Sequence, residues 1–136
     1  MNYEIKLKNG IGNILFGMPV EDVVKLIGEP DEVENFENAQ EAPTTLLHYG
    51  DSLRLFFEDE SPTLQCIDIS DESATLFGHK IFDMDEREIV RLMVDNGFYE
   101  QDADEEAWGE RRISFGEGNV DFFFDNGDLS AIVYGK

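Results

Sequence analysis

The fold is decided by residues 12–28, whose sequence is GNILFGMPVEDVVKLIG. Pro19 fits the start of a helix, because the first turn has no use for its missing N–H group, and Gly28 is a typical stop. Between these two residues, aliphatic side chains recur at the spacing of one helix face, namely Val20, Val23, Val24 and Ile27. This spacing predicts a short amphipathic helix whose apolar face packs against a sheet.

The chain repeats this pattern in its second half. Leu15-Phe16-Gly17 recurs as the LFG of residues 76–78, and the DVVKLI of residues 22–27 recurs class for class as the EIVRLM of residues 88–93. Asp85 and Glu88 have the spacing of a capping box, which predicts a second helix over residues 86–96. We therefore predict one domain over residues 1–136, built from a first repeat at residues 11–72 and a second repeat at residues 73–136.

Three strand-like segments follow each predicted helix. They are residues 44–49, 52–58 and 64–69 in the first repeat and residues 111–115, 119–125 and 129–134 in the second. Apolar and polar residues alternate along them, so one face of each meander should be covered by its helix while the other face stays open. The acidic stretches at residues 29–43 and 100–106 are typical of irregular loops, and residues 3–8 are typical of a short edge strand.

The alternation places a set of candidate partner-binding residues on the open side of the predicted meanders. Phe56 and Phe123 occupy equivalent positions in the two repeats and are surrounded there by charged side chains. Trp108 follows two glutamates, which suits an interface anchor, although a tryptophan that closes the core of the second repeat fits the sequence equally well. The predicted binding residues are His48, Arg54, Phe56, Glu58, Trp108, Arg112, Asp121, Phe123 and Asp125.

The net negative charge of the chain limits the kinds of molecule that it is expected to bind. Ten lysines and arginines stand against thirty-one aspartates and glutamates, which gives a formal net charge of -21 at pH 7. Nucleic acids and anionic membranes repel such a chain, so neither is expected as a direct ligand, and a basic protein becomes the expected partner. A second interpretation is that the acidic surface serves solubility alone.

Several features of the sequence indicate the cytoplasm. The single cysteine, Cys66, excludes an intramolecular disulfide and fits a reducing environment. The first ten residues, MNYEIKLKNG, lack the apolar core of a signal peptide, and no apolar run approaches the roughly 20 residues of a membrane span. The sequence leaves the oligomeric state open, with a monomer favoured over pairing through an exposed edge strand.

The sequence contains no recognisable catalytic or metal-binding pattern. His48 and His79 have no histidine or cysteine partners at ligand spacing. Asp83, Asp85 and Glu86 fit a helix cap better than a calcium loop, since the central glycine and the distal glutamate of that loop are missing. We therefore predict a protein that is not an enzyme and that holds no metal or cofactor. A small-ligand site would need a deep pocket in which carboxylates converge on His48.

Two short motifs show a family resemblance. Phe16-Gly17-Met18-Pro19 precedes the first helix, and Gly28-Glu29-Pro30-Asp31 ends it before a meander with a Tyr49-Gly50 turn. This pattern resembles a superfamily that includes the beta-lactamase inhibitor proteins and the small lipoproteins of the outer-membrane barrel-assembly machinery. The resemblance implies an α+β fold in which two tandem helix-plus-three-stranded-meander repeats form one curved antiparallel sheet. In that fold the helices lie on one face, and the concave open face grips another protein.

Small, acidic cytoplasmic chains of this kind also resemble the immunity proteins that neutralise bacterial toxins. We therefore expect a non-catalytic protein-binding inhibitor. In its most specific form this is an immunity protein that occludes a basic, nuclease-type toxin with its open sheet face and acidic rim. The alternative is a cytoplasmic structural or assembly accessory protein that binds a complex without inhibiting it.

Overall fold

The structure of the protein is a computed structural model, which describes residues 3–38, 41–58 and 62–136. These residues form thirteen strands and two α-helices, so the chain is mostly strand. The first half contains β1 (Glu4–Lys6), β2 (Gly10–Ile11), β3 (Ile14–Leu15), α1 (Val20–Ile27), β4 (Glu32–Asn38), β5 (Glu41–Tyr49), β6 (Leu53–Glu58) and β7 (Thr63–Ile69). The second half contains β8 (Thr75–Leu76), β9 (His79–Lys80), a 3-10 turn (Ile81–Asp83), α2 (Glu86–Asp95), β10 (Gln101–Glu105), β11 (Glu110–Phe115), a 3-10 turn (Gly116–Gly118), β12 (Val120–Asp125) and β13 (Asp128–Gly135).

The strands belong to two sheets. The larger sheet has eight strands in the order β10-β11-β12-β13-β7-β6-β5-β4, and all its neighbouring strands are antiparallel. Its two halves join where β13 pairs with β7, with Ile132 opposite Ile69. The smaller sheet has five strands in the order β3-β2-β1-β8-β9, in which β1 and β8 run parallel.

The predicted α+β fold class is wrong. The chain does not consist of two helix-plus-three-stranded-meander repeats that form one sheet, because it has two sheets and each half contributes four strands to the larger one. The additional strands are β4 and β10, which lie in the acidic stretches that we predicted as loops. The strand β1, which we predicted at an edge, is the middle strand of the smaller sheet.

Edge position explains why β10 does not show the sequence pattern of a strand. Its sequence is QDADE and every one of its residues is exposed, so no alternation of apolar and polar residues marks it. Its backbone is nevertheless paired with β11, from Gln101 opposite Phe115 to Glu105 opposite Arg111. Strands of two residues, such as β2 and β3, are too short to show any period. Composition alone therefore does not distinguish an acidic loop from an acidic edge strand.

The two helices begin and end close to where the sequence predicts. The first helix, α1, follows Pro19 and ends at Gly28, which has a φ of 91° and donates its N–H to the Val24 carbonyl at 2.8 Å. The second, α2, is preceded by a capping box. The Glu88 N–H donates to the Asp85 carboxylate at 2.9 Å, and the Asp85 N–H donates to the Glu88 carboxylate at 3.1 Å. These local predictions are confirmed.

Both sheets and both helices contribute to one hydrophobic cluster. Its buried members come from the smaller sheet, from α1 and α2, and from one face of the larger sheet, and they include Ile5, Ile11, Val23, Leu47, Phe57, Met93, Phe122 and Tyr134. The Tyr134 hydroxyl donates to the Gly10 carbonyl at 2.8 Å and so links β13 to β2. The helices and the smaller sheet thus pack on the same side of the larger sheet.

Among the residues described, no helix combines the length and the apolar character that a membrane crossing would need.

Candidate functional site

The open face is the side of the larger sheet that points away from the hydrophobic cluster. Its side chains alternate with buried ones along each strand, as on β6, where Leu53, Leu55 and Phe57 are fully buried. Strand pairing aligns one row of the open face across all eight strands. From β4 to β10 this row reads Glu32, His48, Arg54, Asp68, Val133, Asp121, Ser114 and Asp102.

The structure brings all but one of the sequence-predicted binding residues onto the open face. They are His48, Arg54, Phe56, Glu58, Arg112, Asp121, Phe123 and Asp125. The exception is Trp108, which lies between β10 and β11. The alternation in the sequence therefore identified which side chains share this face, and their role in binding stays a prediction.

An apolar strip runs diagonally over the open face. In the first half of the sheet, Leu46 on β5 lies opposite Phe56 on β6, which lies opposite Cys66 on β7. In the second half, Phe123 on β12 lies opposite Ala131 on β13. Cys66 lies opposite Gly135 on β13, and Val133 and Ala131 follow at every second residue of that strand towards Phe123. The strip therefore consists of Leu46, Phe56, Cys66, Val133, Ala131 and Phe123. Leu46 is 5% exposed although it does not belong to the hydrophobic cluster, so its neighbours on the open face cover it.

The Cys66 thiol is an uncharged part of this strip. Desolvation is the main reason that its pKa rises, to about 11, and the nearby Asp68 and Glu58 carboxylates add to the effect. A thiol with such a pKa is protonated at neutral pH and is a poor nucleophile. Its environment therefore indicates a packing role.

Next to each of the two equivalent phenylalanines, the neighbouring strand contains a β-bulge, with Gln65 as the extra residue on β7 and Ser130 as the extra residue on β13. The register shifts between Phe56 and Phe57 where β6 pairs with β7, and between Phe123 and Phe124 where β12 pairs with β13. Phe56 and Phe123 are both half-buried on the open face, while the residue that follows each of them is buried in the core. Because a bulge increases the local twist of a strand pair, Phe56 and Phe123 lie at matched irregularities of the sheet, each beside a bulged neighbouring strand.

Hydrogen bonds to carboxylates engage both arginines of the predicted binding set. Arg54 donates to Asp68, which is 9% exposed. Arg112 donates to Asp104 and to the Ser114 hydroxyl, and its Nη1 lies 3.6 Å from Asp121 Oδ1. The hydrogen bond with Asp104 is the main reason that the pKa of the Arg112 guanidinium is raised above its usual value.

Carboxylates outnumber arginines on the described part of the open face. The carboxylates belong to Glu32, Glu34, Glu58, Asp68, Asp102, Asp104, Glu110, Asp121 and Asp125, whereas the arginines are Arg54 and Arg112. Because the carboxylates exceed the arginines, this set of side chains carries a net negative formal charge, and we expect a negative potential over it.

Trp108 stands at one end of the open face. Its side chain is 68% exposed, and the indole Nε1 donates to Glu110 Oε2 at 2.9 Å. The tryptophan therefore does not close the core of the second half, which was the other interpretation of its position. Together with Arg112 and Phe123 it lines a small hollow. An exposed indole beside a guanidinium and a second ring is the composition of an interface hot spot.

Sequence reasoning missed the surroundings of His48. Its Nε2 lies 2.5 Å from Glu34 Oε1, and Glu32 is directly opposite it on the neighbouring strand. Among the residues that the structure describes, these three side chains form a group in which one ligand atom from each lies within 4.8 Å of the others. The alternation Glu-Val-Glu at residues 32–34 was the available signal for a strand, but the loop-like composition around it outweighed that signal.

No protein-family model matches this chain, and no curated protein sequence matches it. One solved structure has a similar fold. It is the crystal structure of an extracellular protein containing a SCP domain from Bacillus anthracis str. Ames, with a TM-score of 0.55 and 12% sequence identity. The match covers 97% of this chain and 50% of that chain, so this chain spans about half the length of the structure it resembles.

Proposed function

We propose that this protein is a non-catalytic binding protein that inhibits a basic partner protein through its open face. The supporting observation is that an excess of carboxylates and a diagonal apolar strip occur together on the side of the sheet that the helices and the smaller sheet leave uncovered. Protein interfaces commonly have an apolar centre and a polar rim, with the aromatic residues as the main source of affinity. A negative rim favours a positively charged partner and speeds the encounter with it.

The specific form of the proposal is an immunity protein that neutralises a nuclease-type toxin. A nuclease domain has a basic surface because its substrate is a polyanion. An acidic face that covers this surface would exclude the substrate without any catalytic group. The single cysteine of the chain fits a reducing, cytoplasmic setting for this complex.

The test uses the two equivalent phenylalanines. Tagged wild-type protein and the double variant Phe56→Ala/Phe123→Ala are compared in their capture of host proteins, and the affinity for the captured partner is then measured with purified components. We expect the double variant to bind at least about 30-fold more weakly, since aromatic hot spots contribute roughly 2 kcal/mol or more. The matched control is Leu26→Ala/Tyr99→Ala, because these side chains are 50% and 66% exposed and lie away from the open face.

A charge variant tests the rim separately from the apolar strip. Glu58→Gln/Asp125→Asn removes two carboxylates from the open face without touching either phenylalanine. We expect a slower association rate, a weaker dependence on salt and little change in the dissociation rate.

The outcomes separate the candidate functions. Capture of one basic protein whose activity is lost on binding supports the inhibitor. Retention of a multi-subunit assembly with unchanged activity supports the accessory protein instead. Equal affinity of the double phenylalanine variant and the control would remove the open face as the interface.

A further inference from the structure

Two adjacent strands bring three potential metal ligands together at one end of the open face. Pairing of β4 with β5 places Glu32 directly opposite His48. Glu34 lies two residues along β4 and therefore points to the same side of the sheet as Glu32. We call Glu32, Glu34 and His48 the His48 cluster.

The geometry of the His48 cluster is close to that of a metal site. His48 Nε2 lies 2.5 Å from Glu34 Oε1, and one ligand atom from each of the three residues lies within 4.8 Å of the others. Ligand atoms around a tetrahedral zinc ion, at bonds of about 2.0–2.1 Å, are separated by roughly 3.3 Å. Strand pairing already holds the backbones of the three residues side by side, so such a site needs only an adjustment of the side chains.

We propose that the His48 cluster binds a divalent transition-metal ion, for which Zn²⁺ is the best fit. Imidazole nitrogen combined with carboxylate oxygen is a ligand set that suits Zn²⁺, whereas Ca²⁺ and Mg²⁺ take oxygen ligands. The imidazole is what distinguishes this cluster from the other acidic parts of the surface. Three protein ligands leave one position of a tetrahedral ion for water or for a side chain of another molecule.

The three side chains of the His48 cluster differ in exposure, and the outermost one leaves the group accessible to an ion from solvent. The His48 side chain is 18% exposed and the Glu34 side chain is 38% exposed, while Glu32 lies at the solvent edge of the group. A cation, Arg54, lies opposite His48 on β6. Its guanidinium donates to Asp68 on the next strand, so its charge is already balanced by a carboxylate outside the cluster.

This proposal departs from the expectation, drawn from the sequence, that the protein holds no metal. That expectation treated His48 as isolated, since the strand that supplies Glu32 and Glu34 was predicted as a loop. The metal proposal does not depend on the partner proposal, because it concerns the free protein and an ion.

The experiment is a calorimetric titration of Zn²⁺ into the full chain, in the presence of a large excess of Mg²⁺ that occupies generic carboxylate sites. The variants are His48→Gln and Glu32→Gln. Glu32→Gln serves as the second variant because an exposed carboxylate can be neutralised without disturbing the fold. The matched controls are His79→Gln, which removes the other histidine, and Glu72→Gln, which removes the same charge at an exposed position elsewhere.

We expect one Zn²⁺ per chain for the wild-type protein and for both controls. Each cluster variant should bind Zn²⁺ at least about tenfold more weakly, a loss of the size seen when the environment of a metal site is altered. Absence of Zn²⁺ binding in the wild-type protein would overturn the proposal. Binding by Glu32→Gln that equals the wild type, or a loss of binding in His79→Gln, would overturn it as well.

Discussion

Tyr134 tests how the two sheets are held together, and we predict that Tyr134→Phe lowers the free energy of unfolding by about 1–2 kcal/mol. The side chain is 1% exposed, and its hydroxyl donates to the Gly10 carbonyl at 2.8 Å. This bond joins β13, an interior strand of the larger sheet, to β2 of the smaller sheet. The ring also packs edge-on against Phe16, with 5.9 Å between the ring centroids.

The magnitude follows from what the substitution removes. Phenylalanine keeps the ring, so no cavity forms and the contact with Phe16 is retained. The loss is one neutral hydrogen bond, with a net contribution of about 0.5–1.5 kcal/mol. The buried Gly10 carbonyl also loses a donor, which raises the expected total towards about 2 kcal/mol.

The assay is urea unfolding followed by far-UV circular dichroism. We expect a lower midpoint with an unchanged slope, because the native surface is not altered. The matched control is Tyr99→Phe, whose side chain is 66% exposed and whose stability should stay within about 0.5 kcal/mol of the wild type. Equal stabilities of Tyr134→Phe and the wild type would refute the idea that this hydrogen bond helps to hold the sheets together.

Further predictions concern the second helix and the partly buried thiol of Cys66. Asp85→Ala should lower the free energy of unfolding by about 1 kcal/mol, whereas Asp85→Asn, which can still cap α2, should retain most of it. Burial raises the pKa of Cys66 to about 11 and raises that of Tyr134 as well. The stability linked to the thiol is therefore complete below its unfolded pKa of about 8.5 and is lost as the pH rises towards its folded pKa, whereas that linked to Tyr134 starts to fall only above the unfolded phenol's pKa of about 10. Urea unfolding between neutral and alkaline pH should show this loss, and Cys66→Ala should reduce it. At pH 8 the folded thiol should react with a disulfide reagent more slowly than the unfolded thiol.

Local signals in the sequence were sufficient for the helices and for most of the larger sheet. The capping box of Asp85 and Glu88 involves residues three positions apart, so the pattern that predicts it contains all the atoms that form it. The same holds for Gly28, whose positive φ ends α1. The alternation in β6 predicted which residues are buried, because one face of this strand meets the core.

The missing strands depend on contacts that no local pattern contains. The strand β4 forms because its backbone pairs with β5, and β10 forms because its backbone pairs with β11. The smaller sheet needs β1 to pair with β8, and Glu4 and Thr75 are far apart in the chain. Strands of two residues contribute too few side chains for a period to appear.

The candidate site was predictable to the same extent as the strands that form it. Phe56 and Phe123 lie on strands whose alternation is clear, so their shared face followed from the sequence. The His48 cluster could not be found in this way, because Glu32 comes opposite His48 only through the register of β4 with β5. A histidine that has no potential metal ligands near it in the sequence can therefore still have them beside it on a paired strand.

The acidic residues of the two outer strands also explain why the edges of the larger sheet need not pair with another copy of the chain. Both β4 and β10 are outer strands of the larger sheet, and the unpaired backbone groups of an edge strand can recruit a strand of another chain. The five exposed residues of β10 include Asp102, Asp104 and Glu105. A second copy that approached this edge would meet the same charges and be repelled, whereas a basic segment would be attracted. The acidic composition that made β4 and β10 resemble loops in the sequence thus disfavours self-association at these edges. It favours a basic partner, as the proposed function requires.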